Sequence, residues 1–142
     1  VESGGRRCAC GKRGHLESYV SKPAMEEAYF EASGKRLELP EICRLAGEGE
    51  KAAAAVLKDA IDKLAIGINQ ILLVVNPGTL VLYGDLFESV DGILERLKQK
   101  TKELAFTEEI ADNCWMVRET KNVRIEDSIA RLSVERALEI IV

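Results

Sequence analysis

The chain has 142 residues, 46% hydrophobic and 31% charged, enough for one domain, or part of one, with a buried core. Its 24 acidic residues outnumber 20 basic ones, which argues against a broad basic surface for nucleic acid. The longest apolar run, around Leu64–Val75, carries Asn69 and Gln70 and is bounded by Lys63, which argues against a membrane span, and no secretory leader is visible at the start.

Residues 1–14 are rich in Gly, Cys and Arg and predict an irregular loop. Leu16, Tyr19 and Val20 then share a face and suggest a short helix. Ser21-Lys22-Pro23 interrupts it. Proline suits a first helical turn, so Ala24–Ala32 is predicted as a second helix, ended by Ser33-Gly34. Pro40 opens a third, Glu41–Ala46, closed by Gly47.

Glu50–Val75 is the strongest element. Val56, Leu57, Ala60, Ile61, Leu64, Ile68, Ile71, Leu72 and Val75 recur at the spacings of a wide apolar helix stripe. At helical rise it spans roughly 39 Å. Gly67 within it costs about 1 kcal/mol relative to Ala, which predicts a neighbour packed closely against it.

Asn76-Pro77-Gly78 reads as a turn, and Thr79–Tyr83 as a short, almost wholly apolar strand of the buried central kind, ended by Gly84-Asp85. Leu86–Lys102 is predicted as one amphipathic helix with Val90, Ile93, Leu94 and Leu97 on one side. Phe106–Thr120 is ambiguous. Asn122–Ile125 is a candidate second strand, and Ser128–Val142 a closing helix. Helices alternating with buried strands predict an α/β fold. One or two strands make a poor sheet for such long apolar helices, so the chain is expected to be the C-terminal part of a larger fold.

The chemistry concentrates in CACGKRGHLE, residues 8–17. Thiolates and a neutral imidazole are good zinc ligands, and structural zinc takes four in a tetrahedron. Cys8, Cys10 and His15 supply three, and Gly11 and Gly14 allow the tight backbone that brings them together. No fourth ligand stands at the obvious nearby positions. Glu2 is conceivable, although sulfur- and nitrogen-rich sites usually avoid a carboxylate. A Gly-rich surface loop with incidental thiols is the other reading. A Cys8–Cys10 disulfide would be strained. Isolated Cys43 and Cys114 read as buried small hydrophobes, and the whole pattern fits a reducing, cytoplasmic setting. Glu17, taken by itself, reads as a first-turn carboxylate facing the helix dipole.

The stretch CACGKRGHLESYVS resembles the signature of the ROK family, the bacterial sugar kinases and sugar-responsive transcriptional repressors. That signature has Glu-x-Gly-His followed further on by Cys-x-Cys-Gly-x-x-Gly-Cys-x-Glu. Cys8, Cys10, Gly11, Gly14 and Glu17 match it in register, and His15 stands where the family most often has its third cysteine. INQILLVVNPGTLVLYGDLFE resembles the family's long helix, Asn-Pro turn and buried strand. The likeness is strong at residues 5–21 and 61–88 and weak beyond residue 105.

The resemblance implies the C-terminal part of an actin-like, ribonuclease-H-like ATPase fold, helix-rich, with a short buried sheet and a zinc-binding loop. It divides the chain into a zinc loop (1–15), short helices (16–47) and an α/β core (50–142). It implies a structural zinc on Cys8, Cys10 and His15, with the remaining ligand, the histidine of Glu-x-Gly-His, expected before Val1. It makes Glu17 the acceptor of hydrogen bonds from sugar hydroxyls, a charge-assisted role that suits a carboxylate, with the zinc loop as its support. It places Gly84 where the kinases bring backbone close to the nucleotide. The catalytic aspartate and phosphate-binding turn of the kinases, and the DNA-binding helix-turn-helix of the regulators, are expected outside this chain. Family members commonly dimerise or tetramerise, so a homo-oligomer is implied.

Two departures bear on activity. The kinases usually carry Gly-Gly at the strand end, where this chain has Tyr83-Gly84-Asp85, and Gly-Ala-Ala in the last helix, where it has Leu132-Ser133-Val134. Both argue against ATP binding and favour a sugar-sensing regulator. An ATP- and magnesium-dependent, glucokinase-like hexose kinase is the alternative, and a zinc-stabilised interaction module without sugar binding is a third.

Overall fold

The computed structural model describes residues 1–106 and, for the backbone, 115–118. The predicted strand Asn122–Ile125, the closing helix Ser128–Val142 and Cys114 lie outside these residues.

A loop over residues 1–16 leads into α1 (Glu17–Val20), α2 (Lys22–Ser33) and α3 (Leu39–Gly47). Ser21 at φ −71°, ψ 148° is extended and separates α1 from α2. Pro23 and Pro40 occupy the first turns of α2 and α3, where no N–H is missed. Gly34 ends α2 at φ 72°, a left-handed cap that satisfies the Phe30 carbonyl.

The long helix α4 (Lys51–Val75) is the spine. Glu50 caps it, accepting the Ala53 backbone N–H on its side chain at 2.7 Å. Its buried positions Ala53, Val56, Leu57, Ala60, Ile61, Ala65, Ile68 and Leu72 follow the expected three-and-four spacing. Met25, Ala28 and Tyr29 of α2 and Leu39, Ile42 and Cys43 of α3 pack into the same core. Truncating a fully buried member such as Leu57 to Ala is worth about 2–5 kcal/mol. Gly67 has the close neighbour expected of it: a Cβ there would stand 2.9 Å from Leu16 Cδ2. The stripe does not stay buried to its end, however. Ile71 and Val75 are exposed, as are Leu73 and Val74, because the described residues do not cover the last turn of α4.

The strand β1 covers Thr79–Leu82 and pairs in parallel with β2 (Trp115–Arg118), Thr79 opposite Trp115 and Leu82 opposite Arg118. Two expectations are corrected here, on β1 and on the helix after it, and one open stretch is assigned. β2 falls inside the stretch that composition left ambiguous. β1 is not buried throughout: only Leu82 is, and Tyr83, expected to close the strand, lies beyond it and is 60% exposed. The helix expected over Leu86–Lys102 is two helices, α5 (Asp85–Ser89) and α6 (Ile93–Leu104). Val90 is extended between them and Gly92 turns the chain at φ 67°. Asp91-Gly92 is a turn dipeptide, and the apolar periodicity running across it concealed the break.

On α6, Ile93, Leu97 and Thr101 recur every fourth residue and face inward. Buried Asn69 of α4 donates to its own Ala65 carbonyl at 3.1 Å and across to the Thr101 carbonyl at 3.0 Å, latching the two helices. No helix among the described residues is long and apolar enough to cross a membrane.

Candidate functional site

The loop before α1 folds as a small hairpin. Its arms meet at an antiparallel bridge between Arg7 and Arg13, and the Gly14 N–H donates to the Arg6 carbonyl at 2.9 Å. At the tip the Cys8 N–H donates to Lys12 and the Gly11 N–H to Cys8, at 2.8 and 2.9 Å. Gly14 is required by this shape. It sits at φ 74°, and a Cβ would fall 1.6 Å from the Glu2 carbonyl oxygen.

The hairpin brings Cys8, Cys10 and His15 together, with one ligand atom of each within 4.8 Å of the others. Cys10 Sγ and His15 Nδ1 are 3.2 Å apart. Two ligands on a tetrahedral zinc sit roughly 3.5–3.8 Å apart, so small adjustments fit this donor set to such an ion. Cys8 is buried while Cys10 and His15 are exposed, leaving one open side. Glu2, conceivable as a fourth ligand, is committed elsewhere. Its Oε2 accepts from the Tyr19 hydroxyl at 2.5 Å and pairs with Lys63 at 3.1 Å. The Tyr19 hydrogen bond, followed by that of Lys63, holds its carboxyl below the usual carboxylate range. Cys43 is buried in the helical core, 5% exposed, and burial pushes its thiol up to about 11. It is a packing residue, as expected.

Glu17 is the first residue of α1, exposed, two positions after His15. It lines a cavity of about 540 Å³ whose other polar members are Ser21, Lys22, Tyr83, Gly84 and Asp85. Glu17 and Gly84, singled out from distant stretches, therefore share one cavity. Its floor is apolar, from Val20, Leu39, Leu64, Leu82, Leu86 and Phe87. Gly84 has φ 122°, which glycine alone adopts easily, and nothing lies within 4 Å of where a Cβ would stand. Its freedom serves the turn, not a crowded approach. Lys22 pairs with Glu38 at 2.6 Å. That hydrogen bond holds its ammonium above the usual range, with Glu26 and Asp85 adding in the same direction. Among the described residues the cavity thus carries carboxylates at Glu17 and Asp85 and one cation already engaged, a wall rich in hydrogen-bond acceptors.

Lys22 and Ser21 escaped sequence reasoning because they looked like helix punctuation. Tyr19 escaped because it looked like one more apolar residue on a helix face.

Comparison with known proteins places these features. The sequence profile of the ROK family matches residues 1–124. N-acetyl-D-glucosamine kinase of Shigella boydii serotype 4 is 35% identical over 81 residues, covering 57% of this chain and 27% of that protein. The Salmonella arizonae protein of the same name is 37% identical over the same length. Among solved structures, the ROK hexokinase of Thermus thermophilus superposes with a TM-score of 0.74 at 22% identity, covering 87% of this chain and 41% of that one. A ROK family transcriptional regulator, a homologue of the E. coli MLC protein, gives 0.71 at 21% identity, covering 86% and 34%. The chain spans less than half the length of the relatives it matches. Kinases and a regulator share this fold, so the fold does not choose between them. With a profile match across most of its length and this shared fold, the chain belongs to the ROK family.

Proposed function

We propose that the chain is the sugar-sensing part of a ROK-type transcriptional regulator of carbohydrate metabolism. It forms the C-terminal part of an actin-like ATPase fold, a structural zinc on Cys8, Cys10 and His15 supports the loop ahead of α1, and Glu17 accepts hydrogen bonds from sugar hydroxyls. Bound there, a zinc would cross-link the loop through its ligands and supply no chemistry of its own. Its fourth ligand, and the DNA-binding domain, come from outside these residues. The protein works in the cytoplasm as a homo-oligomer.

The observation that carries this reading is the cavity that Glu17 shares with Gly84. A nucleotide close to Gly84 would meet Tyr83 on one side and Asp85 on the other. Tyr83 is 60% exposed and adds bulk. Asp85 adds a negative charge where phosphates would lie, and Lys22, the one cation lining the cavity among the residues whose side chains are described, is engaged by Glu38. A sugar, with neutral hydroxyl donors, suits these acceptors better than a triphosphate does.

The second reading is an ATP- and magnesium-dependent sugar kinase. It is favoured by the 35% identity to N-acetyl-D-glucosamine kinases, which makes an N-acetylated hexosamine the first sugar to try in either case.

The full-length protein decides. Titration with N-acetylglucosamine and glucose, an ATP-coupled phosphorylation assay and sugar-dependent release of operator DNA are run side by side. The proposal expects sugar binding and DNA release without phosphotransfer. ATP-dependent phosphorylation of the sugar overturns it in favour of the kinase. Glu17→Gln should weaken sugar binding roughly 10-fold or more, since a bond to a charged partner is worth about 1.5–3 kcal/mol. Unchanged affinity removes Glu17 from the site.

A further inference from the structure

The metal-donor hairpin is held to the helices by a buried tyrosine. Tyr19 is 2% exposed. Its hydroxyl donates to Glu2 Oε2 at 2.5 Å and accepts the Arg6 backbone N–H at 2.8 Å. One hydroxyl therefore closes the segment 2–6 that leads into the hairpin. Gly5 passes directly under it: a Cβ there would lie 2.1 Å from the hydroxyl oxygen. The segment is then tied to α4 by two ion pairs one turn apart. Lys63 reaches Glu2 at 3.1 Å, and Asp59 reaches Arg6 at 2.9 Å. Arg6 and Lys63 also stand against the Tyr19 ring, 4.9 and 5.2 Å from its centroid. Two carboxylates and two cations balance around one phenol, and none of them is a metal donor.

The tie reaches the donors through the backbone. Arg6 accepts from Gly14, the residue before His15, and Gly14 accepts from the Glu2 N–H at 3.2 Å. Holding residues 2–6 therefore holds both arms, one entering at Cys8 and the other leaving at His15. Tyr19 belongs to α1, the same helix that begins with Glu17.

We propose that Tyr19 is the positioning residue of the metal loop: with Glu2, Lys63 and Asp59 it sets the Cys8–His15 hairpin against α4 before any metal binds. The proposal rests on reading Cys8, Cys10 and His15 as the metal donors. Donors already in place lose little freedom when the ion arrives, so affinity rises through pre-organisation. The clamp also keeps α1, and so Glu17, in position when the metal is removed.

The test uses the full-length protein and zinc itself, competed with a chromogenic chelator. Tyr19→Phe should lower zinc affinity by roughly 10-fold or more, the usual cost of removing groups that orient metal ligands. Tyr29→Phe, at a buried tyrosine of α2 outside the loop, should leave it unchanged. Equal zinc affinity in wild type and Tyr19→Phe overturns the proposal and leaves the metal reading standing, as does an equal loss in both variants. Amide exchange at Arg6 in chelator-treated protein reads the clamp without metal: protection in wild type that is lost in Tyr19→Phe supports it, and protection unaffected by the substitution overturns it. If wild type binds no zinc, the metal reading fails and the Arg6 amide decides the clamp alone.

Discussion

Replacing Gly14 with Ala tests the hairpin where its geometry is tightest. Gly14 lies at φ 74°, a conformation that costs an L side chain about 1–2 kcal/mol. The added Cβ also falls 1.6 Å from the Glu2 carbonyl oxygen, whereas contacts under 3.0 Å essentially never occur. The Glu2 backbone must retreat. That breaks the Glu2 N–H bond to Gly14 and the Gly5 N–H bond to Glu2, both 3.2 Å, at about 1 kcal/mol each. The total is about 3–4 kcal/mol, confined to the loop. Gly11→Ala is the internal control. Gly11 lies at φ 86° with nothing within 4 Å of its Cβ position, so only the conformational cost of about 1–2 kcal/mol applies. The difference of about 2 kcal/mol is roughly a 30-fold change in local opening. Amide exchange in the zinc-free full-length protein reads it at Cys8 and Gly14, whose N–H groups bond Lys12 and Arg6. The α4 amides should be unaffected by either change. If the two substitutions open the hairpin equally, the contact with Glu2 does not exist and the loop geometry is wrong.

Cys10→Ser should abolish stoichiometric zinc, measured by elemental analysis after dialysis, while Cys43→Ser leaves it intact because that thiol is a buried packing group. Zinc retained by Cys10→Ser would remove it from the donor set. The Tyr19 clamp should depend on pH with a definite sign. Glu2 has a folded value below its ordinary 4.5, through the Tyr19 and then the Lys63 hydrogen bonds, so the clamp is intact above pH 4.5 and weakens as pH falls through that lowered value. Arg6 amide protection in zinc-free protein, corrected for intrinsic exchange, should follow this course, and protection that began to fall well above pH 4.5 would contradict it. At the α1–α4 contact, Gly67→Ala gains about 0.5–1 kcal/mol of helix propensity but meets Leu16 Cδ2 at 2.9 Å. The gain should appear in full only in a Leu16→Ala background; additive effects in equilibrium unfolding would show that the two residues do not touch.

The donor hairpin and Glu17 stand close together in sequence, and Tyr19 connects them in space. On the proposed metal reading, a loop anchored independently of the ion tolerates its loss without losing the helix that follows. Such an arrangement suits a binding site that must stay formed between ligand encounters.

Much of this was legible in the residues. The apolar spacing of Val56 through Leu72 fixes α4, because a helix face is a local pattern. Gly67 announced a close neighbour, since glycine inside such a helix needs compensation. Cys8, Cys10 and His15 meet because a hairpin of eight residues, with Gly11 and Gly14 at positive φ, leaves them little else to do. Other features depend on what each element packs against, which no local pattern records. Trp115–Arg118, left ambiguous by its composition, forms a strand because β1 offers its edge there. The break at Val90–Gly92 hides beneath an unbroken apolar period. Glu17 precedes α4 in the chain and Gly84 follows it, and they reach one cavity only because the chain folds back on itself. Tyr19, apolar by pattern, became a hydrogen-bonding hub once Glu2 and Arg6 were brought to its hydroxyl. Sequence alone therefore determined α1 to α4 and the clustering of Cys8, Cys10 and His15, where the deciding contacts are local. Tertiary structure decided the strand pairing, the shared cavity and the clamp, where they are not.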